Sequence, residues 1–154
     1  MIVRIVVADE REASFFDAES MNTPLKLVSK IEDPKGGLRG RDLESDRPGR
    51  SFDSMGAHRH AMDGERSSRR WHEQTEFARR IVEDVEQARQ GQKFDRLVVI
   101  AGPRMLGLIR EALPAPARTL IVAEITKDIG HLDEKAIRSY LPREAFTRTS
   151  AGDA

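Results

Sequence analysis

The sequence predicts a single α/β domain on a five-stranded mixed sheet of order 3-2-1-4-5, with strand 2 antiparallel to the others and helices on its flanks. Three observations carry this. Three short strand-like runs come first, separated by turns too short to hold a helix. Two buried-type strands then alternate with helical segments, the pattern of right-handed crossovers. Between the two halves lies a polar stretch, expected as a loop over 33–70, longer than a compact domain usually tolerates unless it is functional or disordered.

The elements follow in order. Ile2–Ala8 (IVRIVVA) is β-branched and nearly all apolar, as a central strand covered on both faces is. Asp9 ends it, and Ala13–Ala18 (ASFFDA) follows a tight turn. Leu25–Ile31 (LKLVSKI) alternates apolar and polar, the pattern of a half-buried strand. Asp33-Pro34 and Gly36-Gly37 open the loop. Trp71–Gln90 is the strongest helix: Phe77, Ala78, Ile81, Val82, Val85 and Ala88 form one stripe, and Gly91 is placed at C′. Arg96–Ala101 (RLVVIA) is a buried strand, and Pro103 suits the first turn of a helix running to about Ala112. Pro114 and Pro116 punctuate, Thr119–Ile125 is the fifth strand, and a last helix spans roughly Asp133–Leu141. The domain is expected over 1–142, with a flexible tail over 143–154.

At 154 residues the chain suits one domain. Its hydrophobic share is 38%, with the shortfall concentrated in the loop and the tail. Formal net charge is zero, so no whole-molecule field selects nucleic acid or membrane. Charged residues nonetheless reach 34%, and Arg outnumbers Lys, which favours forked recognition of phosphate or carboxylate; an Arg-rich codon bias explains the same count without function. There is no Cys, which excludes disulfides, thiol catalysis and Cys-ligated zinc. MIVRIVVADE is too short and too quickly charged for a signal peptide, so the expectation is a cytoplasmic protein with no membrane insertion.

This topology makes strands 1, 3, 4 and 5 run the same way. Asp9, the long loop, Gly102-Pro103-Arg104 and Lys127-Asp128 are therefore expected at one sheet edge, where open α/β sheets bind ligands. Within the loop, Asp46-Arg47-Pro48-Gly49-Arg50 reads as a type II turn holding Arg47 and Arg50 side by side, a pair suited to phosphate or to the neighbouring acids. The residues expected to bind phosphate, RNA or a partner are Arg41, Asp46, Arg47, Gly49, Arg50, Arg59, His60, Arg104 and Lys127, with Asp9 and Asp128 on the ligand edge.

Catalytic readings are less complete. A two-metal nuclease needs a carboxylate at the end of strand 4, where Arg104 stands. His58, His60, His72 and His131 fit no standard zinc spacing. Ser45 and Ser51 lack a nucleophile elbow, and GPRMLG is not a P-loop, although its helix start suits an anion. No cofactor, metal or catalytic residue is expected.

The segments VVADEREASFF, RDLESDRPGRSFDS, HRHAM, FARRIVEDVEQAR, FDRLVVIAGPRMLGLIREAL and EITKDIGHL resemble the bacterial host attachment protein family, over almost the whole chain up to about Leu141. The topology resembles ribonuclease H-like domains, and more distantly the middle domain of archaeal and eukaryotic peptide-chain release factors. The catalytic Gly-Gly-Gln loop of that domain lies where this loop lies; here only Gly36-Gly37-Leu38 stands, which removes the basis for peptidyl-tRNA hydrolysis. The resemblance implies a non-enzymatic module whose loop faces RNA, with the ribosome, tRNA or a protein as partner. Two other readings stay open: a hydrolase or other enzyme acting on a phosphorylated small molecule at the sheet edge, and an indirect regulator of attachment to host cells.

Overall fold

The computed structural model describes residues 1–33, 56–127 and 133–147, and for 56–67 the backbone alone. Its strands are β1 (Val3–Ala8), β2 (Glu12–Ala18), β3 (Lys26–Glu32), β4 (Arg96–Ala101) and β5 (Ile121–Thr126). They form one sheet of order β3-β2-β1-β4-β5. β2 runs antiparallel to β1 and β3, whereas β4 is parallel to both β1 and β5. This is the predicted topology. β1 sits at its centre, with Val3↔Ala18 to Ala8↔Ala13 on one side and Val3↔Arg96 to Ala8↔Ala101 on the other. A run of β-branched residues suits that place because helices cover both faces.

Alternate side chains build two cores. Val6, Ala8, Phe15, Leu97, Val99 and Ala101 face α1 (Gly56–Gln90) and α2 (Pro103–Ala112). Val3, Ile5, Val98 and Ile100 face Ile137 and Leu141, at α4 (Glu134–Tyr140), and Ala145. Asp133 caps α4 by accepting from the Ala136 amide at 2.8 Å. Glu134 then accepts from the Leu25 amide at 2.8 Å, tying the helix to the connection between β2 and β3.

Four differences from the sequence reading have physical causes. The long helix starts at Gly56, not Trp71, so its first turns occupy much of the stretch expected as loop. Hydrophobic periodicity detects helices that pack, and these turns have no apolar stripe to detect, although Ala, Met, Glu and Arg are strong helix formers. At its far end the left-handed residue is Gln92, at φ 54°, not Gly91. Lys93 N–H donates to Ala88 O and Gln92 N–H to Arg89 O, which makes Gln92 the C′ residue of a Schellman motif. Pro114 and Pro116 do more than punctuate, since α3 (Ala115–Arg118) forms a single turn there. Finally, residues 143–147 are not a free tail. Arg143–Ala145 is a 3-10 turn with Ala145 fully buried, and Arg96 Nη1 donates to the carbonyls of Glu144 and Ala145. The rest of the expected tail, 148–154, lies outside the described residues.

Candidate functional site

β1, β4 and β5 end level with one another, at Ala8, Ala101 and Thr126, and β3 ends at the same edge through Glu12↔Glu32. The connections that follow them therefore leave from one side. α1 runs back antiparallel to β4, so its Gln74 lies near the start of α2.

The candidate side chains of this edge divide between two sheet faces. On the α1–α2 face, Pro103 begins α2 and Arg104 is exposed on its first turn. Gly102 stands at the N-cap and provides no side-chain acceptor for the leading amides. The helix dipole and the first amides thus favour an anion there. Arg104 Nη1 reaches Gln74 Oε1 at 3.5 Å, a long contact that fixes the direction of the amide more than it stabilises it. Gln74 is only 4% exposed, and its Nε2 has no hydrogen-bond partner among the described residues. A buried amide donor left unpaired costs about 1–3 kcal/mol, which is recovered when an acceptor arrives. The junction of α1 and α2 therefore brings together a guanidinium, an uncapped helix start and a donor in want of an acceptor.

Lys127 leaves the same edge, and its backbone N–H donates to Ala101 O at 2.9 Å. Its ammonium turns to the other face and lies 4.8 Å from the centroid of the Tyr140 ring. Arg104 and Lys127 thus leave from the one edge where both were expected, but their side chains lie on opposite faces of the sheet. Asp9 is a turn residue, its Oδ1 accepting from the amides of Arg11 and Glu12 at 2.7 Å each. At the β2–β3 end, Lys30 pairs with Glu12 at 3.2 Å and Glu32 at 3.8 Å.

Arg59 and His60 fall on the helical backbone of α1, with their side chains outside the described residues. Arg41, Asp46, Arg47, Gly49, Arg50 and Asp128, with the type II turn at Pro48-Gly49, lie outside the described residues altogether. Among the described residues no three His, Cys, Asp or Glu side chains group as metal ligands do, and no helix is long and apolar enough to cross a membrane. Asp84, whose carboxyl burial pushes above its ordinary range while Arg4 partly offsets the rise, sits ten positions along α1 from Gln74 and away from this edge. Sequence reasoning overlooked Gln74. The available signal was a polar residue on the apolar stripe, three positions before Phe77.

A family model described as "protein required for attachment to host cells" matches residues 4–141. The chain is 27% identical over 134 residues to the uncharacterized protein RP470 of Rickettsia prowazekii (strain Madrid E), covering 81% of this chain and 82% of the other. Among solved structures, an archaeal translation termination factor, aRF1, matches with a TM-score of 0.47 and 7% identity over 94% of this chain. An archaeal protein matches with a TM-score of 0.43 and 9% identity over 82% of this chain. The chain spans 36% and 30% of the length of those two.

Proposed function

Because the chain belongs to the family of proteins required for attachment to host cells, whose model spans residues 4–141, we propose that it is a non-enzymatic binding module of that family, and that the edge where its parallel strands end docks on RNA phosphates. One observation carries this reading: the Arg104–Gln74 junction, where an exposed guanidinium, the uncapped start of α2 and the unpaired Gln74 Nε2 meet. Each is a donor or a positive field, and the first two hold at any physiological pH. Phosphate oxygens, acceptors that stay charged, suit all three. The sequence between β3 and α1, and the start of α1, is rich in Arg from Arg39 to Arg59, and this composition suits a phosphate chain longer than one unit.

The test is sedimentation of the full chain with ribosomal particles at low and high salt, beside Arg104→Ala and Arg47→Ala/Arg50→Ala, followed by titration of RNA. Co-migration is expected at low salt and is lost at high salt. Arg104→Ala should weaken RNA binding by about tenfold or more, the worth of a charged hydrogen bond. It should also lower the salt slope by about 0.7, one phosphate contact on a single strand. A protein that stays at the top of the low-salt gradient, or an Arg104→Ala variant that binds like the wild type, refutes the reading.

A further inference from the structure

We infer that Trp71 is a base-stacking residue and that the RNA bound at this edge is single-stranded; this rests on the phosphate-docking reading above. The core-facing stripe of α1 comprises Phe77, Ala78, Ile81, Val82 and Val85, all buried, together with Gln74. At 100° per residue, the positions that continue this stripe toward the N-terminus are Arg70 and Trp71, four and three before Gln74. On a helix that ended with the sheet, those positions would be covered. Here they are open: Trp71 is 51% exposed, and Ser68, Arg69, Arg70 and His72 beside it are exposed too. The stripe runs past the end of the sheet, carrying an indole and a guanidinium over the edge at which α2 begins. Trp71 stands three residues, ~4.5 Å of rise, along the axis from Gln74, whose amide meets Arg104.

The chemistry of this pair selects the ligand. An indole half open to water, with Arg69 and Arg70 just before it in the chain, is poorly placed as a protein-core residue and well placed to stack on a flat, electron-poor ring whose neighbour is an anion. A nucleotide carries both. With its phosphate at Arg104 and the start of α2, a short single strand lays a base against Trp71 and a further phosphate toward Arg70. A duplex keeps its bases stacked on each other and leaves the indole unused. Stacking is tolerant of base identity, since every base has a π face, so little sequence preference is expected.

Trp71 is the chain's single tryptophan, and its intrinsic fluorescence reports the contact directly. The full chain is titrated with a short oligouridylate, with its abasic counterpart, and with inorganic polyphosphate. The affinity of the labelled oligouridylate is measured in parallel for Trp71→Ala, Trp71→Phe and Arg104→Ala. The oligouridylate is expected to quench Trp71 saturably, whereas the abasic strand and polyphosphate bind with little quenching. Trp71→Ala should lose roughly 5- to 150-fold in affinity for the oligouridylate, the range of one stacked base, and Trp71→Phe should keep most of it. Because Trp71 is largely at the surface, Trp71→Ala should keep its circular dichroism spectrum; the wild-type quenching does not depend on any variant. Unchanged affinity in Trp71→Ala, with Arg104→Ala still impaired, overturns the stacking inference and leaves phosphate docking in place. Loss in Trp71→Ala with none in Arg104→Ala does the reverse. Quenching that follows protein concentration alone assigns the indole to a second copy of the chain and overturns the inference, and no binding of any probe ends both.

Discussion

Arg4 enters the core from the middle of an apolar strand. It is 3% exposed, its Nε donates to Asp17 Oδ1 at 2.5 Å on the neighbouring strand, and its guanidinium carbon lies 5.4 Å from the centroid of the Phe94 ring. The pair is unequal, because the Asp17 side chain keeps 20% of its exposure and the Arg4 side chain 4%. Asp17→Ala leaves a buried cation with its main partner gone and should cost about 3 kcal/mol in urea denaturation. Arg4→Met, which leaves Asp17 able to meet water, should cost clearly less; equal losses would show that the pair carries no such asymmetry. Asp84 is the neighbouring case with a pH signature. Burial raises its carboxyl above the ordinary 3.8, against the opposing pull of Arg4. The folded state then holds this proton more tightly than the unfolded chain, so Asp84's contribution to stability falls as pH rises through the window above 3.8 and stays low beyond it. The stability of Asp84→Asn relative to wild type should therefore improve between acid and neutral pH; a difference that does not vary with pH would refute the raised carboxyl. Arg4 and Gln74 show in the sequence only as polar residues in apolar patterns, and for the same reason neither role could be assigned. A lone polar residue in an apolar pattern reads as noise until its partner is known, and their partners lie 13 and 30 positions away.

At the scale of elements, packing decides what a sequence pattern reveals. β1, β4 and the second half of α1 bury their apolar residues, and all three are legible to within a residue or two. The first fifteen residues of α1 carry no apolar stripe in their sequence that periodicity could detect, so they read as loop. The stop of α1 was legible in place but not in mechanism. The left-handed conformation falls on Gln92 rather than on the adjacent glycine, at a cost of roughly 1 kcal/mol for a residue with a Cβ. Gln92→Gly should therefore raise stability by about 1 kcal/mol. Gly91→Ala should also stabilise, by about 0.5 kcal/mol, since a Cβ at that position meets nothing nearer than Gln87 O at 3.4 Å. Thermal unfolding of the two variants separates the assignments: if Gly91 held the left-handed position, Gly91→Ala would be the one to lose stability.

The whole molecule is one sheet with a core on each face, and its order was legible because short turns force a meander while helical crossovers force parallel neighbours. The division of the site between the two faces was not, since whether a side chain leaving a strand end turns up or down depends on register that no pattern fixes. The smaller core depends on the chain after α4. Ending the protein at Leu141 removes buried Ala145, the partly buried Phe146 and the carbonyls that receive Arg96. Such a truncation should cost about 2 kcal/mol, a fall of roughly 5 °C in Tm, and an unchanged Tm would show that the 3-10 turn contributes nothing.

The strand order also has a consequence for synthesis. The meander is complete at Glu32, yet β1, its edge strand until then, receives β4 only when Ala101 has been made. At about 5–20 residues per second, that gap of roughly seventy residues lasts on the order of 3 to 14 s. Throughout it the most apolar strand of the nascent chain has an open hydrogen-bonding edge, and until α1 is finished at Gln90 neither helical layer is available to cover it.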